Sequence, residues 1–438
     1  MTKHKRIIVP FLLTLLTMPA LAQTNGSNSS YSRFGLGTMN DQSQGFNRGM
    51  GGVAQGIQSG QKVNMLNPAS YAAIDSLSLI FDVGMGLQFG HFKQNGNSAN
   101  ARNTSLEYVN AGFHIARGLG MSLGFVPYST IGYNFTAGSR VGSSATSLQT
   151  ITTETTYYGN GGLHQMYAGL GWNPFAKLNI GANISYIWGD YNHSLAQKFY
   201  EGGTSSTVYN SMNMEWSSDI RTYKVDIGVQ YSVRLTAQDW LTLGATASLG
   251  HTIGSEVQMI RYGSASDTIS SKQKKAFGLP YVISAGAAWQ HQGRILVAAD
   301  YTMERWDGCK VPMSYSTATS QGIQIRTDQY MNRHKATVGA EYIRDPMSRK
   351  YVPRIRYRLG ASYATPYTKI NGHDGPSEYS LSAGVALPLR MASKSLINVS
   401  AQWMRRAPTT TGMISENYFM LHLGVTFNEA WFVQWKIR

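Results

Sequence analysis

The sequence predicts an all-β protein: a transmembrane antiparallel β-barrel of about fourteen strands, with an N-terminal plug, or hatch, in its lumen. Three observations predict it. From Leu77 onward apolar and polar residues alternate with a period of two over long segments, the pattern of a wall with one lipid face and one wet face. The connections between these segments are short and long in turn, as periplasmic turns and surface loops are. An export signal opens the chain, and no run of about 18 apolar residues follows it, so no membrane-spanning helix is predicted.

Taken in order, residues 1–22 read as a signal peptide. Lys3, Lys5 and Arg6 give a positive start, Ile7 to Leu16 an apolar core, and Ala20-Leu21-Ala22 an A-x-A cleavage site, so the mature chain is expected to begin at Gln23. The destination is the outer membrane of a Gram-negative bacterium. Residues 23–76 form a leader and hatch. Gly45–Tyr71 is glycine-rich and ends in Asn67-Pro68-Ala69. Gly49, Gly51, Gly52, Asn67, Pro68 and Ala69 are its candidate gate residues, the glycines allowing plug backbone to approach the wall closely. Gly49–Ala54 also fits GxGxxA, but no strand precedes it and no helical pattern follows.

Residues 77–427 form the barrel. Candidate strands fall near 77–92, 104–117, 119–134, 157–172, 177–190, 221–233, 239–252, 278–290, 294–305, 330–344, 354–366, 378–389, 395–406 and 416–427. In Tyr223–Val233, for example, Tyr223, Val225, Ile227, Val229 and Tyr231 alternate with Lys224, Asp226, Gly228 and Gln230. The even count suits a single-chain bacterial barrel. Stretches 93–103, 135–156, 191–220, 253–277, 306–329, 367–377 and 407–415 read as long surface loops, rich in Ser, Thr, Asn and Gly. Aromatics near strand ends suit interfacial girdles: Tyr128, Tyr157, Tyr158, Trp172, Trp188, Trp240, Tyr281, Trp289, Trp306, Tyr342, Trp403 and Trp431. The tail 428–438, rich in Trp and Phe, reads as periplasmic or as part of a barrel-insertion signal.

Hydrophobic residues make up 42% of the chain, as expected when half of each strand faces lipid and half faces water. The net charge is +15. No block of basic residues and no nucleic-acid motif accompanies it, and an exported barrel meets no nucleic acid. Contact with the anionic surface of outer-membrane lipid accounts for the charge. The single cysteine, Cys309, excludes a disulfide framework, and no Cys/His cluster suggests a metal or other cofactor. Gly120-Met121-Ser122-Leu123-Gly124 matches a nucleophile elbow in letters, but it sits within a strand rather than at a strand-to-helix turn; no enzyme is predicted.

One charged cluster stands out. Asp300 and Glu304 fall on the inward face of one strand, Lys335 and Glu341 on that of the next, and Arg354, Arg356 and Arg358 on that of the one after. It reads as charge pairing that holds wall and plug together. A polar-ligand or carboxylate site is the alternative.

Gly49-Met50-Gly51-Gly52-Val53-Ala54, followed by Asn67-Pro68-Ala69 just before the first strand, resembles the FadL-type outer-membrane transporter family for long-chain fatty acids and other hydrophobic compounds. Phe125-Val126-Pro127-Tyr128 in the third strand is similar to that family's proline-interrupted strand. Tyr31–Gly37 and Phe427–Phe432 look like a Bacteroidetes-type branch. The resemblance implies passive uptake of hydrophobic small molecules, with lateral exit near strand three lined by Phe125, Pro127 and Tyr128 and gated by the hatch. Stretches 135–156 and 191–220 lack the amphipathic helices of the family's surface groove. The other expectation is a non-transporting barrel subunit, partnered by other outer-membrane proteins in an assembly or secretion complex. An apolar tunnel past the plug would favour uptake, and a charge-sealed lumen the scaffold.

Overall fold

The computed structural model describes residues 28–76, 78–143, 150–201, 208–264, 266–316, 321–389 and 394–430. The expected signal peptide and its cleavage site, and the tail beyond Ala430, lie outside them. Fourteen antiparallel strands form the wall: β1 (Ser78–Gln94), β2 (Asn97–Ala116), β3 (Leu119–Ser143), β4 (Thr150–Phe175), β5 (Leu178–Glu201), β6 (Val208–Arg234), β7 (Asp239–Ser248), β8 (Tyr281–His291), β9 (Ile295–Arg305), β10 (Arg333–Ile343), β11 (Arg356–Ala364), β12 (Ser377–Pro388), β13 (Leu396–Ala407) and β14 (Ser415–Ala430). Each pairs with the next, and β14 returns to β1 in register from Ser78↔Ala430 to Lys93↔Ser415. Closure leaves no edge in lipid, where an unpaired backbone group costs several kcal/mol.

Every expected strand is present, but the expected loops differ. Stretches 135–156 and 191–220 are largely strand. β3, β4, β5 and β6 run to 25, 26, 24 and 27 residues, more than twice the roughly 9–11 that a tilted span needs. Their outer halves stand beyond the membrane. Runs such as Thr152-Thr153-Glu154-Thr155-Thr156 combine β-branched side chains with polarity on both faces, so they remain strands; Thr153 and Thr155 are buried all the same. Stretches 253–277 and 306–329 likewise fold as hairpins, Glu256–Gly263 with Ser266–Lys274 and Val311–Ser316 with Gln321–Arg326. The first of these takes over the pairing of upper β6, from Gln258↔Ser217 to Gly263↔Met212.

The girdle expectation also divides. Trp172, Trp240, Tyr281, Trp289, Tyr342 and Trp403 are exposed on the outer wall, whereas Tyr128 and Trp306 are buried inside. Tyr128 keeps the inward dyad of Gly124 and Val126, and a bulge between Pro127 and Ser129 follows it. A bulge shifts the dyad by one residue: Val126 faces in before it, and Ile131 and Tyr133 face in after it. Trp431 lies outside the described residues.

Residues 28–76 fill the lumen. They comprise a 3-10 turn at Ser30–Arg33, a two-residue strand at Thr38–Met39, the single helical turn α1 (Gly45–Arg48) and a second 3-10 turn at Pro68–Ala73. Phe46, Met50, Val53, Ile57, Val63, Ala69 and Tyr71 are all at most 3% exposed. The closed wall predicts heat modifiability: an unboiled sample runs compact on a gel and slower after boiling. Recovery of folded protein in the soluble periplasmic fraction would contradict the fold.

Candidate functional site in the plugged lumen

The plug is seated on a hoop of wall glycines. Gly120, Gly171, Gly181 and Gly228 are cross-strand partners in sequence across β3 to β6, Gly244 opposes Gly286, Gly339 opposes Gly360, and Gly84 opposes Gly424. A Cβ on Gly360 would overlap the Met50–Gly51 peptide, and one on Gly181 would overlap Pro68. Gly51, at φ 71°, donates its N–H to Ser382 Oγ at 2.8 Å. Gly49 lies against Gly384, and Gly52 N–H closes the α1 turn on Asn47 O at 2.9 Å. Asn67 caps the turn Pro68–Ala73: its Oδ1 accepts from Ala69 N–H at 3.2 Å and its Nδ2 donates to Gln55 O at 2.9 Å. Ala69 is wholly buried.

Three charged groups tie plug to wall. Near the periplasmic end, Glu341 receives Arg358 at 2.7 Å, Arg356 at 2.8 Å and the plug's Lys62 at 3.2 Å. Arg358 also donates to Gly45 O and to Asn398 Oδ1. Burial pushes the Lys62 ammonium down to about 7; Glu341 opposes this, and Arg356 and Arg358 add to it. At mid-lumen, Arg48 lies 3.4 Å from Glu107, which also meets His422 at 2.5 Å. Burial pulls Asp41 up, but Lys335 and Arg48 outweigh it and hold the carboxyl below its ordinary range. Asp300 accepts the Ala54 and Gln55 N–H groups at 2.6 and 3.0 Å.

At the extracellular end, five side chains alternate in sign around the wall: Glu304–Arg333 at 3.5 Å, Arg333–Glu378 at 2.5 Å, Glu378–Arg406 at 2.8 Å and Arg406–Glu416 at 3.2 Å. The leader docks on this ladder. Ser29 Oγ donates to both Glu416 oxygens at 2.8 and 2.9 Å, and Tyr31 OH donates to Ile414 O. A cavity of about 30 Å³ lies beside it, bounded by Tyr31, Met39, Arg333 and Tyr367.

The opposite side of the lumen carries an apolar column set among buried polar residues such as Gln165, Asn183 and Gln230. Leu36 of the leader packs with Tyr128, Ile131, Tyr133, Leu163, Ile187, Tyr191 and Ile220 of β3 to β6, under Ile253, Val257, Phe277 and Leu279 of the extracellular hairpins. A second cluster continues it inward: Val126, Tyr167 and Tyr108 of the wall with Val63, Met65, Tyr71 and Ile74 of the plug. Val126 and Tyr128 join the two on β3. There the wall pairing stops. β2 and β3 pair only from Ala116↔Leu119 to Val109↔Phe125. Beyond Phe125 the free edge of β3 is met by the leader, Thr38↔Thr130 and Met39↔Ser129. Pro127 has no N–H to give, and it sits two residues past the last β2–β3 pair.

The residues expected from sequence land unevenly. The one charged cluster becomes several: Glu341 with Arg356 and Arg358, Asp300 on plug backbone, and Glu304 in the extracellular ladder. Arg354 is not on a strand; it ends the 3-10 turn Val352–Arg354, because Pro353 interrupts the strand's start. Tyr128 faces the lumen, whereas Phe125 faces outward, stacked on His164 at 5.6 Å. Ser122 donates to Ala111 O and shares a hydrogen bond with Tyr167 OH, as a wall residue does. Lys62, Arg48, Glu107, His422, Arg333, Glu378, Arg406 and Glu416 were not read from the sequence. Glu107 hides in a second bulge, where Tyr108 pairs with Gly84 and Leu106 with Met85.

The closed fourteen-strand wall and its inner plug define an outer-membrane β-barrel with the fold of the FadL-type channels for hydrophobic compounds. Similar solved structures are the CymD monoaromatic hydrocarbon channel (14% identity, TM-score 0.58, covering 90% of this chain and 98% of that one), the Ralstonia pickettii toluene transporter TbuX (15%, 0.57, 88% and 98%) and a Pseudomonas aeruginosa FadL homologue (14%, 0.59, 89% and 99%). At these identities the likeness is one of fold. No curated protein matches the chain in sequence. The BamG family model matches residues 1–438, and the chain belongs to the BamG family.

Two substitutions test the seating. Gly360→Val is expected to cost roughly 2 kcal/mol or more by overpacking against the plug, lowering the temperature at which the compact gel form is lost. Gly254→Ala, in open space, should leave it unchanged. Glu341→Gln strands three buried cations and is expected to cost about 3–5 kcal/mol. Arg356→Leu should cost less, since Glu341 keeps Arg358 and Lys62; equal losses would refute this ranking.

Proposed function

We propose that this barrel takes up small hydrophobic compounds across the outer membrane and releases them sideways through the seam between β2 and β3. The observation that carries the reading is the apolar column. It runs from the extracellular hairpins down the inner faces of β3 to β6 and ends at the strand edge where wall pairing stops. A lumen built only to be sealed needs polar lining, and the ion ladder on the other side already supplies that. An apolar lining beside an opening suits a solute that prefers lipid to water. CymD and TbuX, named for monoaromatic hydrocarbons and toluene, suggest the size of solute.

Among the described residues, the plug and leader fill the lumen beside the ladder. A cavity that holds benzene measures about 150 Å³, so the 30 Å³ beside the ladder admits only water. Uptake on this reading requires the leader to leave the free edge of β3. The gate is then the leader at Thr38–Met39 together with the turn Asn67-Pro68-Ala69 and the glycines Gly49, Gly51 and Gly52 that seat the hatch. Phe125, Pro127 and Tyr128 frame the exit, Phe125 from the lipid side and Tyr128 from within.

The same filled lumen favours a second reading, a barrel subunit of an outer-membrane assembly that transports nothing. One experiment separates them. In a Cys309→Ser background, Thr38→Cys and Thr130→Cys occupy directly paired positions, whose Cα separation of about 4.5–5.5 Å suits a disulfide. Uptake of toluene by cells carrying the oxidised pair is expected to fall to that of a deletion strain, and to recover on reduction. Unchanged uptake in the locked protein would overturn lateral exit; no uptake in either state, with other outer-membrane proteins co-purifying, would favour the scaffold.

A further inference from the structure

The outer wall carries a hollow of about 700 Å³ across β10 to β13. Its floor is made of Ala336 and Ala361, small residues between larger neighbours. Val338, Leu381 and Trp403, exposed by 54, 57 and 40%, border it towards the membrane centre. Tyr363 and Tyr379 stand at its outer end with ring centroids 4.9 Å apart. Arg405 completes the outer rim. Ala336↔Tyr363, Tyr363↔Tyr379 and Tyr379↔Arg405 are cross-strand pairs, so these four side chains form one row around the barrel.

The row lies at the extracellular end of the wall. β13 leads at Ala407 into a surface connection, whereas its other end joins β12 by the short turn expected on the periplasmic side. Arg405 is exposed, and among the described residues its guanidinium has no hydrogen bond or ion pair. Its neighbour Arg406 faces inward and is held by Glu378 and Glu416. An unneutralised arginine above an apolar hollow, with tyrosines and a tryptophan at interfacial depth, matches the two parts of an anionic lipid: acyl chains below, phosphate above.

We propose that this hollow is a binding site for one anionic phospholipid-type molecule of the outer leaflet, its acyl chain lying over Ala336 and Ala361 and its phosphate on Arg405. The site faces lipid, away from the lumen, and is independent of whether the barrel transports.

Native mass spectrometry of the full chain, presented with equal amounts of phosphatidylglycerol and phosphatidylcholine of matched acyl chains, tests it. The wild type is expected to retain one phosphatidylglycerol with about tenfold preference, the scale of a charge-assisted contact. Arg405→Gln should abolish the preference while keeping lipid bound. Ala361→Trp, which fills the floor, should lose both lipids; if it fails to fold, as judged by heat modifiability, Arg405→Gln decides alone. Undiminished preference in Arg405→Gln overturns the proposal. So does a dimer of the chain that excludes lipid and is lost in Ala361→Trp, because the hollow then seats a second barrel.

Discussion

Backbone hydrogen bonding in hydrocarbon is the constraint on which this structure depends. A barrel satisfies it by closing, and most of the strand boundaries here are ladders that run the length of the membrane span. The boundary between β2 and β3 is different: after seven or so pairs the strands part, at Val109 and Phe125. The leader strand Thr38–Met39 then supplies partners that the wall does not. The bulges at Glu107 and at Tyr128 flank the parting on either side, each turning one extra side chain into the lumen. Glu107 reaches Arg48 of the plug by this route, and Tyr128 joins the apolar column. The position of the plug and the interruption of the wall are therefore one structural fact rather than two.

The lumen divides by chemistry. On the side of β9 to β14 the buried groups are largely ionic: among the described residues Glu341, Glu378 and Glu416 each have a cation beside them, the condition under which buried charges are tolerable, and Asp300 accepts two plug N–H groups instead. On the side of β3 to β6 a column of aromatic and aliphatic groups runs among neutral polar ones such as Gln165, Asn183 and Gln230. The leader touches both, with Ser29 on Glu416 and Leu36 in the apolar cluster. A movement of the leader thus exchanges hydrogen bonds on one side against apolar burial on the other.

Much of the fold was legible in the sequence, because period-two alternation reports directly on a wall between lipid and water. The fourteen strands and their order follow from it. What was not legible has physical causes. Upper β3 to β6 were read as loops since their residues are polar on both faces, so alternation disappears while the β-branched residues remain. Glu107 escaped because a bulge breaks the parity that strand reading assumes, and Tyr128 was read as a girdle residue although its parity matches the inward Val126. Arg333, Glu378, Arg406 and Glu416 sit at strand ends, and what brings them together is cross-strand register (Glu378↔Arg406, Arg406↔Glu416), which alternation alone does not set. Lys62 belongs to Glu341 through tertiary contact alone. Pro127, by contrast, was legible, since a missing donor is a property of the residue itself.

The helical turn α1 bears on how such a barrel is made. Gly45 donates its N–H to Tyr108 of β2, accepts from Arg358 of β11, and lies against Gly424 of β14 and Asn398 of β13. These strands come from opposite ends of the barrel sequence, and closing β1 on β14 joins the most distant segments of the wall. The entropy of such a closure falls on the unfolded chain before any contact repays it. A plug that is first in the chain, and already grips the early strands, presents the late ones with a surface to land on. One helical turn thus bridges β2 at one end of the wall sequence and β11, β13 and β14 at the other, like a mandrel spanning the ring's seam.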